Sequence, residues 1–269
     1  MKHLKIQVFS GLGSRMRAVI GAIAWAKNNN ATVGVCWPRI DKSEELGEFP
    51  VWFSELFDSP LPESQMERPE TGGRYWPKSP GVTSASKDGE YLCRTCDPAT
   101  IIDEDMSLDG WPYTEMWKPA SEVESHFIEI PNRTVGVHIR HSLAQPGAQG
   151  VEWYISRMRE IESEYDTGFF LSCDAIAVEE QVKAEFPDVI HIPKDYKYDN
   201  LGIKKTAADL FLLQRCDWML GSYQSSFSEL AGWMRGGEYL SGWGREGWLP
   251  GGRYEDSKTS PVGIDEALL

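Results

Sequence analysis

The chain has 269 residues, 41% of them hydrophobic and 25% charged, a make-up that suits one large or two small globular domains and excludes disorder as the main state. Its formal net charge of -14 argues against a long nucleic acid as partner, because such binding draws on clustered Lys and Arg against phosphates. No stretch approaches the roughly 18 consecutive apolar residues of a spanning helix, and Met1-Lys2-His3-Leu4-Lys5-Ile6 leads into a strand rather than a signal sequence, so an intracellular, cytoplasmic protein with no membrane contact is expected.

The first predicted elements are a strand from Leu4 to Phe9, a turn Ser10-Gly11-Leu12-Gly13-Ser14, a helix to about Asn29 and a strand from Thr32 to Trp37. Met16, Val19, Ile20, Ile23 and Ala24 fall at helical spacing and form the stripe of a helix packed on one side. The unit is βαβ. Gly11 and Gly13 sit where backbone amides at a helix start can meet an anion, and Arg15 and Arg17 in the following turn would gain from a phosphate nearby. Two uses fit these residues at this point: an anion site, or glycines that permit the turn beside solvated arginines.

Residues from about 58 to 120 are rich in Pro, Gly, Ser and Trp and show little periodicity, which predicts long loops with short helices. Trp76, Trp111, Tyr113 and Trp117 lie here, as rings for stacking on an acceptor or for packing a core. Asp103-Glu104-Asp105 has the spacing of a D-x-D pair but falls in this half of the chain. The five cysteines are an odd number, which fits reduced thiols. Cys93-Arg94-Thr95-Cys96 is a lone C-x-x-C without the second pair that a structural zinc needs.

Strand and helix alternate again from Thr134, with apolar strands at Thr134–Arg140, Phe169–Cys173, Val189–Ile192 and Trp218–Gly221. Such alternation implies a mainly parallel sheet covered on both faces. The expected fold is therefore α/β, with two Rossmann-like lobes and a cleft between them, residues 1–128 forming the first and 129–269 the second. A Gly- and Trp-rich tail from Gly242 is expected to return to the first lobe.

In Thr134–Arg140 the period-two rule puts Val135, Val137 and Ile139 on one face and Gly136, His138 and Arg140 on the other. His138 and Arg140 thus share a face at the carboxyl end of a strand, where open α/β sheets bind ligands, and an arginine fork suits a diphosphate. A core histidine and an ion-paired arginine are the alternative. Asp209, in a helix apolar on nearly all sides, needs a donor: a nucleotide's base or ribose, or a neighbouring amide. Ser225 and Ser226 precede another helix, and Ser226 with Glu229 matches a capping box whose free amides could also take a phosphate.

Three blocks then resemble one family. Gly11-Leu12-Gly13-Ser14-Arg15-Met16-Arg17 with Ala24-Trp25-Ala26-Lys27 and Thr32-Val33-Gly34-Val35 is similar to the first lobe of the fucosyltransferase-like superfamily, which includes nodulation fucosyltransferases, core α1,6-fucosyltransferases and protein O-fucosyltransferases. Gly136-Val137-His138-Ile139-Arg140-His141 resembles its H-x-R motif, and Ala208-Asp209-Leu210-Phe211-Leu212-Leu213 through Cys216-Asp217 to Ser225-Ser226-Phe227 resembles its last donor motif. His141 stands where many relatives carry a second arginine, and Ser14 where many carry asparagine.

The resemblance implies a GT-B fold and an inverting, metal-independent glycosyltransferase without a cofactor, drawing on a nucleotide-sugar donor, GDP-fucose first, with a glycan, protein or small-molecule acceptor. By position it assigns His138 and Asp209 to the base or ribose, Arg140 to the diphosphate as the catalytic group, and Ser225, Ser226 and Phe227 to the phosphate end, with Gly11, Gly13, Ser14 and Arg15 as further donor-binding positions. Another nucleotide sugar, or a catalytically silent binding protein, remains open. A dinucleotide oxidoreductase does not fit: position 16 is Met rather than the third glycine, and no acid lies between Arg17 and Arg39.

Overall fold

A computed structural model describes residues 2–8, 11–37, 39, 49–59, 61, 83–85, 90–95, 117–141, 149–223, 225–235, 238–241 and 244–247. The chain divides into two compact units, one holding Met1–Glu122 with Tyr198–Ile203, the other Val123–Lys197 with Lys204–Trp248. Among the described residues no helix is long and apolar enough to cross a membrane.

In the first unit β1 (Lys2–Val8), α1 (Leu12–Asn28) and β2 (Ala31–Cys36) form the expected βαβ turn, β1 and β2 running parallel from Lys2↔Ala31 to Gln7↔Cys36. Leu4, Ile6 and Val8 are buried together with Met16, Val19 and Ile20 of the stripe read from the sequence, but Ala18 and Ala22 outside it are buried too and Ile23 within it only partly, so the helix is covered on more than one side. Asn29 caps the helix end by donating its side-chain amide to the Trp25 carbonyl at 2.9 Å, and Asn30 follows in the left-handed region at φ 49. Next come α2 (Phe53–Leu56) and β3 (Phe57–Asp58), which pairs antiparallel with a later strand, β6 (Lys118–Pro119). Trp117 packs on Phe57 at 4.9 Å and Phe53 at 6.0 Å and is 2% exposed, which makes it a core ring.

The irregular middle also supplies sheet. β4 (Thr83–Ala85) and β5 (Glu90–Thr95) complete a sheet of order β2-β1-β5-β4, with β5 an inner strand parallel to β1 from His3↔Glu90 to Val8↔Thr95. The expectation of loops and short helices missed it because a strand of six residues flanked by Ser, Gly and Pro earns its place by pairing with β1, not by local periodicity. Trp76, Trp111, Tyr113, Asp103-Glu104-Asp105, Cys96 and the tail beyond Gly247 lie outside the described residues.

After the short α3 (Ser121–Glu124), the second unit runs β7 (Thr134–Ile139), α4 (Val151–Glu164), β8 (Gly168–Cys173), α5 (Ile176–Glu185), β9 (Ile190–His191), α6 (Asn200–Arg215, its first turn to Ile203 belonging to the first unit), β10 (Trp218–Leu220), α7 (Ser226–Arg235), β11 (Glu238–Ser241) and β12 (Gly244–Gly247). Its sheet order is β12-β11-β10-β7-β8-β9, parallel except for β12. Counted from β7, that is the 3-2-1-4-5-6 order of a dinucleotide-type sheet, and the direction of winding reverses between β7 and β10. The reversal places the candidate site.

Both faces of β7 are buried, as a parallel inner strand requires. Val135, Val137 and Ile139 pack with Tyr154, Met158 and Ile161 of α4 and with Val178 and Val182 of α5. On the opposite face Gly136 lets α6 approach, since a Cβ there would stand 2.9 Å from Leu213 Cδ2 and 3.2 Å from Cys216 Cβ. Leu213 is fully buried and cannot swing away. Gly136→Val should therefore overpack this contact and lower unfolding free energy by about 1–3 kcal/mol, read from urea midpoints, and Leu213→Ala in the same chain should return part of the loss.

Candidate functional site

The switch point lies between the carboxyl ends of β7 and β10. The ladder between them is in register from Trp218↔Val135 to Leu220↔Val137, and beyond it the two chains separate. Ser222 fills the gap. Its hydroxyl donates to the His138 carbonyl at 3.0 Å and accepts the Arg140 N–H at 2.8 Å, with the Tyr154 hydroxyl at 2.9 Å as its third partner. Those are the groups a continuing strand would engage, so a side chain extends the ladder by one step.

His138 is 6% exposed and held on two sides. Phe227 lies against the ring at 4.8 Å between centroids, and Nδ1 is 2.6 Å from Ser228 Oγ. Ser228 Oγ also accepts the Ser222 N–H at 2.9 Å, so one hydroxyl joins the imidazole to the backbone that follows β10. Burial holds the ring neutral: its pKa falls to about 3, lowered further by Arg140 and Lys194 against the opposing pull of Asp174. Arg140 follows β7 directly and is half-buried, and the next N–H, of His141, donates to Asp174 Oδ1 at 2.7 Å.

Ser225, Ser226 and Phe227 start α7. The helix begins at Ser226, so the capping position falls to Ser225, one residue before the one its sequence pattern suggests; Ser225 Oγ meets the Ser228 N–H at 3.5 Å and its carbonyl takes the Glu229 N–H at 2.9 Å. Asp209 is wholly buried in α6 and its donors are side chains: Ser172 Oγ at 2.7 Å and Lys194 Nζ, both on Oδ2. Burial raises its carboxyl pKa, against the lowering influence of Lys194, Ser172 and His191. Ser172 is the register partner of His138 on the neighbouring strand, so Asp209 meets the sheet one strand across from the imidazole.

The second unit thus gathers His138 and Arg140 at the end of β7, Asp209 in α6, and Ser225, Ser226 and Phe227 at the start of α7. It adds Ser172, Lys194, Ser222 and Ser228, which sequence reading missed. Ser172 carried a faint signal, a hydroxyl inside the apolar run Phe169-Phe170-Leu171-Ser172-Cys173, but its partners come from register and helix packing.

Gly11, Gly13, Ser14 and Arg15 belong to the first unit. Gly11 caps α1 with φ -72 and ψ 170, a conformation open to any residue, and a Cβ there would stand 3.8 Å from the Tyr198 hydroxyl, so the fold itself does not demand glycine. No acid occupies the first turn of α1. Arg15 turns inward beneath this helix start: it is 0% exposed, with its guanidinium 4.0 Å from the Phe49 ring centroid and 5.2 Å from that of Trp37, and burial brings its pKa down to about 9.

No protein-family profile and no curated protein sequence matches the chain. Solved structures do. The NodZ α-1,6-fucosyltransferase soaked with GDP-fucose is 18% identical, with a TM-score of 0.57 over 90% of this chain and 95% of that one. Arabidopsis thaliana FUT1 in complex with GDP is 11% identical, with a TM-score of 0.57 over 89% of this chain and 70% of that one. POFUT1 in complex with GDP-fucose is 11% identical, with a TM-score of 0.56 over 87% of this chain and 94% of that one. The chain shares the α/β fold of these fucosyltransferases, the architecture expected from the three sequence blocks.

The buried imidazole makes stability depend on pH. Its folded pKa lies below the ordinary value of 6.5, so the unfolded chain binds the proton first; its contribution is complete above pH 6.5 and is lost as pH falls toward 3. Between pH 7 and pH 5 the ring should cost the fold roughly 2 kcal/mol. Asp209 acts in the opposite sense but cancels when a His138→Gln chain is compared with the parent, and urea midpoints at the two pH values should fall more steeply for the parent.

Proposed function

We propose that the chain is an inverting, metal-independent glycosyltransferase that moves a sugar, fucose from GDP-fucose in the first instance, to an acceptor hydroxyl. The observation that carries this reading is the convergence of His138, Arg140, Asp209 and the start of α7 at the reversal point of a fold shared with three fucosyltransferases handled with GDP or GDP-fucose. His138 and Asp209 take the base or ribose, Arg140 the diphosphate, and Ser225, Ser226 and Phe227 the phosphate end. In the first unit Gly11, Gly13 and Ser14 offer a bare helix start, with Arg15 supplying positive charge from beneath.

In the reaction the acceptor oxygen bonds to the anomeric carbon from the face opposite the diphosphate, the carbon–oxygen bond to the diphosphate breaks, and the acceptor proton passes to a base. Positive charge grows on the sugar ring while negative charge grows on the departing diphosphate. A fixed guanidinium and helix amides at that diphosphate stabilise the transition state more than the bound donor. His141 in place of a second arginine favours, as the second reading, a different nucleotide sugar on the same machinery.

Screening nucleotide sugars with the purified chain tests the reading. A nucleoside diphosphate should raise Tm by mass action, and transfer should persist in EDTA. No shift with any nucleoside diphosphate at millimolar concentration, or a complete loss of transfer in EDTA that added metal restores, would each count against it.

Arg140 supplies the sharper test. Arg140→Ala should lower turnover about a hundredfold or more, on the order of 3 kcal/mol, while shifting Tm only slightly, because its backbone N–H bond to Ser222 survives the substitution. Arg140→Lys should recover little, since a point charge does not reproduce a bidentate fork. Rate and Tm measured on one preparation decide between this role and a structural ion pair, which predicts a destabilised chain of normal specific activity.

A further inference from the structure

Asp209 holds an incomplete set of hydrogen bonds. It is 0% exposed, its Oδ2 takes both Ser172 Oγ and Lys194 Nζ, and its Oδ1 has no hydrogen-bond partner among the described residues. A buried carboxylate oxygen without a donor is costly, and a fold retains one where something else completes it. The groups facing this carboxylate are Ser172 on β8, His191 on β9 and Lys194 just beyond it. Lys194 is itself nearly buried, its side chain 8% exposed, and its ammonium also donates to the Cys173 carbonyl at 3.4 Å. Two donors on Oδ2 fix the turn of the carboxylate, so the same oxygen is always the open one. Through Ser172 the group lies one strand from His138, at the level of the ring that Phe227 covers.

We propose that Lys194 is a positioning residue of the donor site: with Ser172 it grips one oxygen of Asp209 and thereby presents the other to an N–H or hydroxyl of the bound nucleoside. This rests on the nucleotide-sugar reading above and adds to it the residue that makes Asp209 usable. Burial alone drives Asp209 toward the protonated acid, which would offer a hydroxyl in place of an acceptor; the ammonium of Lys194 is the largest opposing influence. Lys194 works through Asp209 and not on the ligand, since its charge is already spent on that carboxylate.

The test is calorimetric binding of GDP to the full chain between pH 6.5 and 9, with Lys194→Met, Asp209→Asn and the double variant each expressed relative to the parent so that the titration of GDP itself cancels. Asp209→Asn should weaken GDP about tenfold or more at every pH. Lys194→Met should be similarly weak near neutrality and approach the parent as pH rises, because the carboxylate re-forms without its cation. The double variant should match Asp209→Asn alone, the signature of two residues acting as one. Should Lys194→Met fail to fold with an uncompensated buried charge, the double variant removes charge and partner together and carries the test.

The proposal is overturned if Lys194→Met binds like the parent across the range, if Asp209→Asn binds like the parent, or if the double variant is a further tenfold weaker than Asp209→Asn, which would put Lys194 on the ligand directly. In those three cases the parent still binds GDP and the donor reading stands. A parent chain that binds no nucleoside diphosphate removes both.

Discussion

One serine hydroxyl carries the geometry on which the second unit's site depends. At a reversal point the strands on either side lead their crossovers in opposite directions, and the ladder between them ends early. Ser222 prolongs it by offering, from a side chain, the acceptor and donor that Arg140 and His138 would otherwise seek in a strand. Because the Tyr154 hydroxyl of α4 reaches the same oxygen, the helix covering one face of the sheet is tied to the edge where the candidate residues gather. The Ser222 amide in turn fixes Ser228, and Ser228 fixes the imidazole. Removing that hydroxyl would take one partner at once from the amide of Arg140, the carbonyl of His138 and the Tyr154 hydroxyl, the last keeping its bond to the Gly221 carbonyl.

The electrostatics of the edge are local and run against the chain as a whole. The formal net charge is -14, yet Arg140 and Lys194 meet here with a histidine kept neutral by burial. A neutral ring beside two cations does not add to their repulsion. Lys194 and Asp209 face each other at close range, so the charge of that lysine is largely offset within the fold. The net charge at large disfavours a polyanionic chain, which would meet repulsion over its length.

Much of this was legible in the sequence, for stated reasons. Alternation in Thr134–Arg140 sorted Val135, Val137 and Ile139 from Gly136 and His138, and the structure packs those two sets against different helices. The stripe of α1 was legible at Met16, Val19 and Ile20, although the small residues Ala18 and Ala22 beyond it are buried as well. What stayed hidden depended on pairing between distant segments. β5 is inner only because β1 lies beside it, Ser172 matters only because its register partner is His138, and Lys194 reads as an ordinary surface lysine until α6 sets a carboxylate against it. The inward turn of Arg15 was hidden for a related reason: Phe49, whose ring receives it, lies 34 residues downstream of it in the chain.

The order 3-2-1-4-5 has a further consequence in the time during which the chain is made. β7, the centre of its sheet, leaves the ribosome first, and β8 and β9 can pair along one side at once. The other side waits for β10. His138 and Ser222 are 84 residues apart, a span that takes roughly 4 to 17 s to synthesise at ordinary rates of elongation. Throughout that interval the carbonyl of His138 and the amide of Arg140 belong to an open sheet edge, the kind of surface on which strands of other molecules add. The part of the unit that gathers the candidate residues is therefore also the part that a nascent chain must shield longest, and its closure by Ser222 removes a template for aggregation.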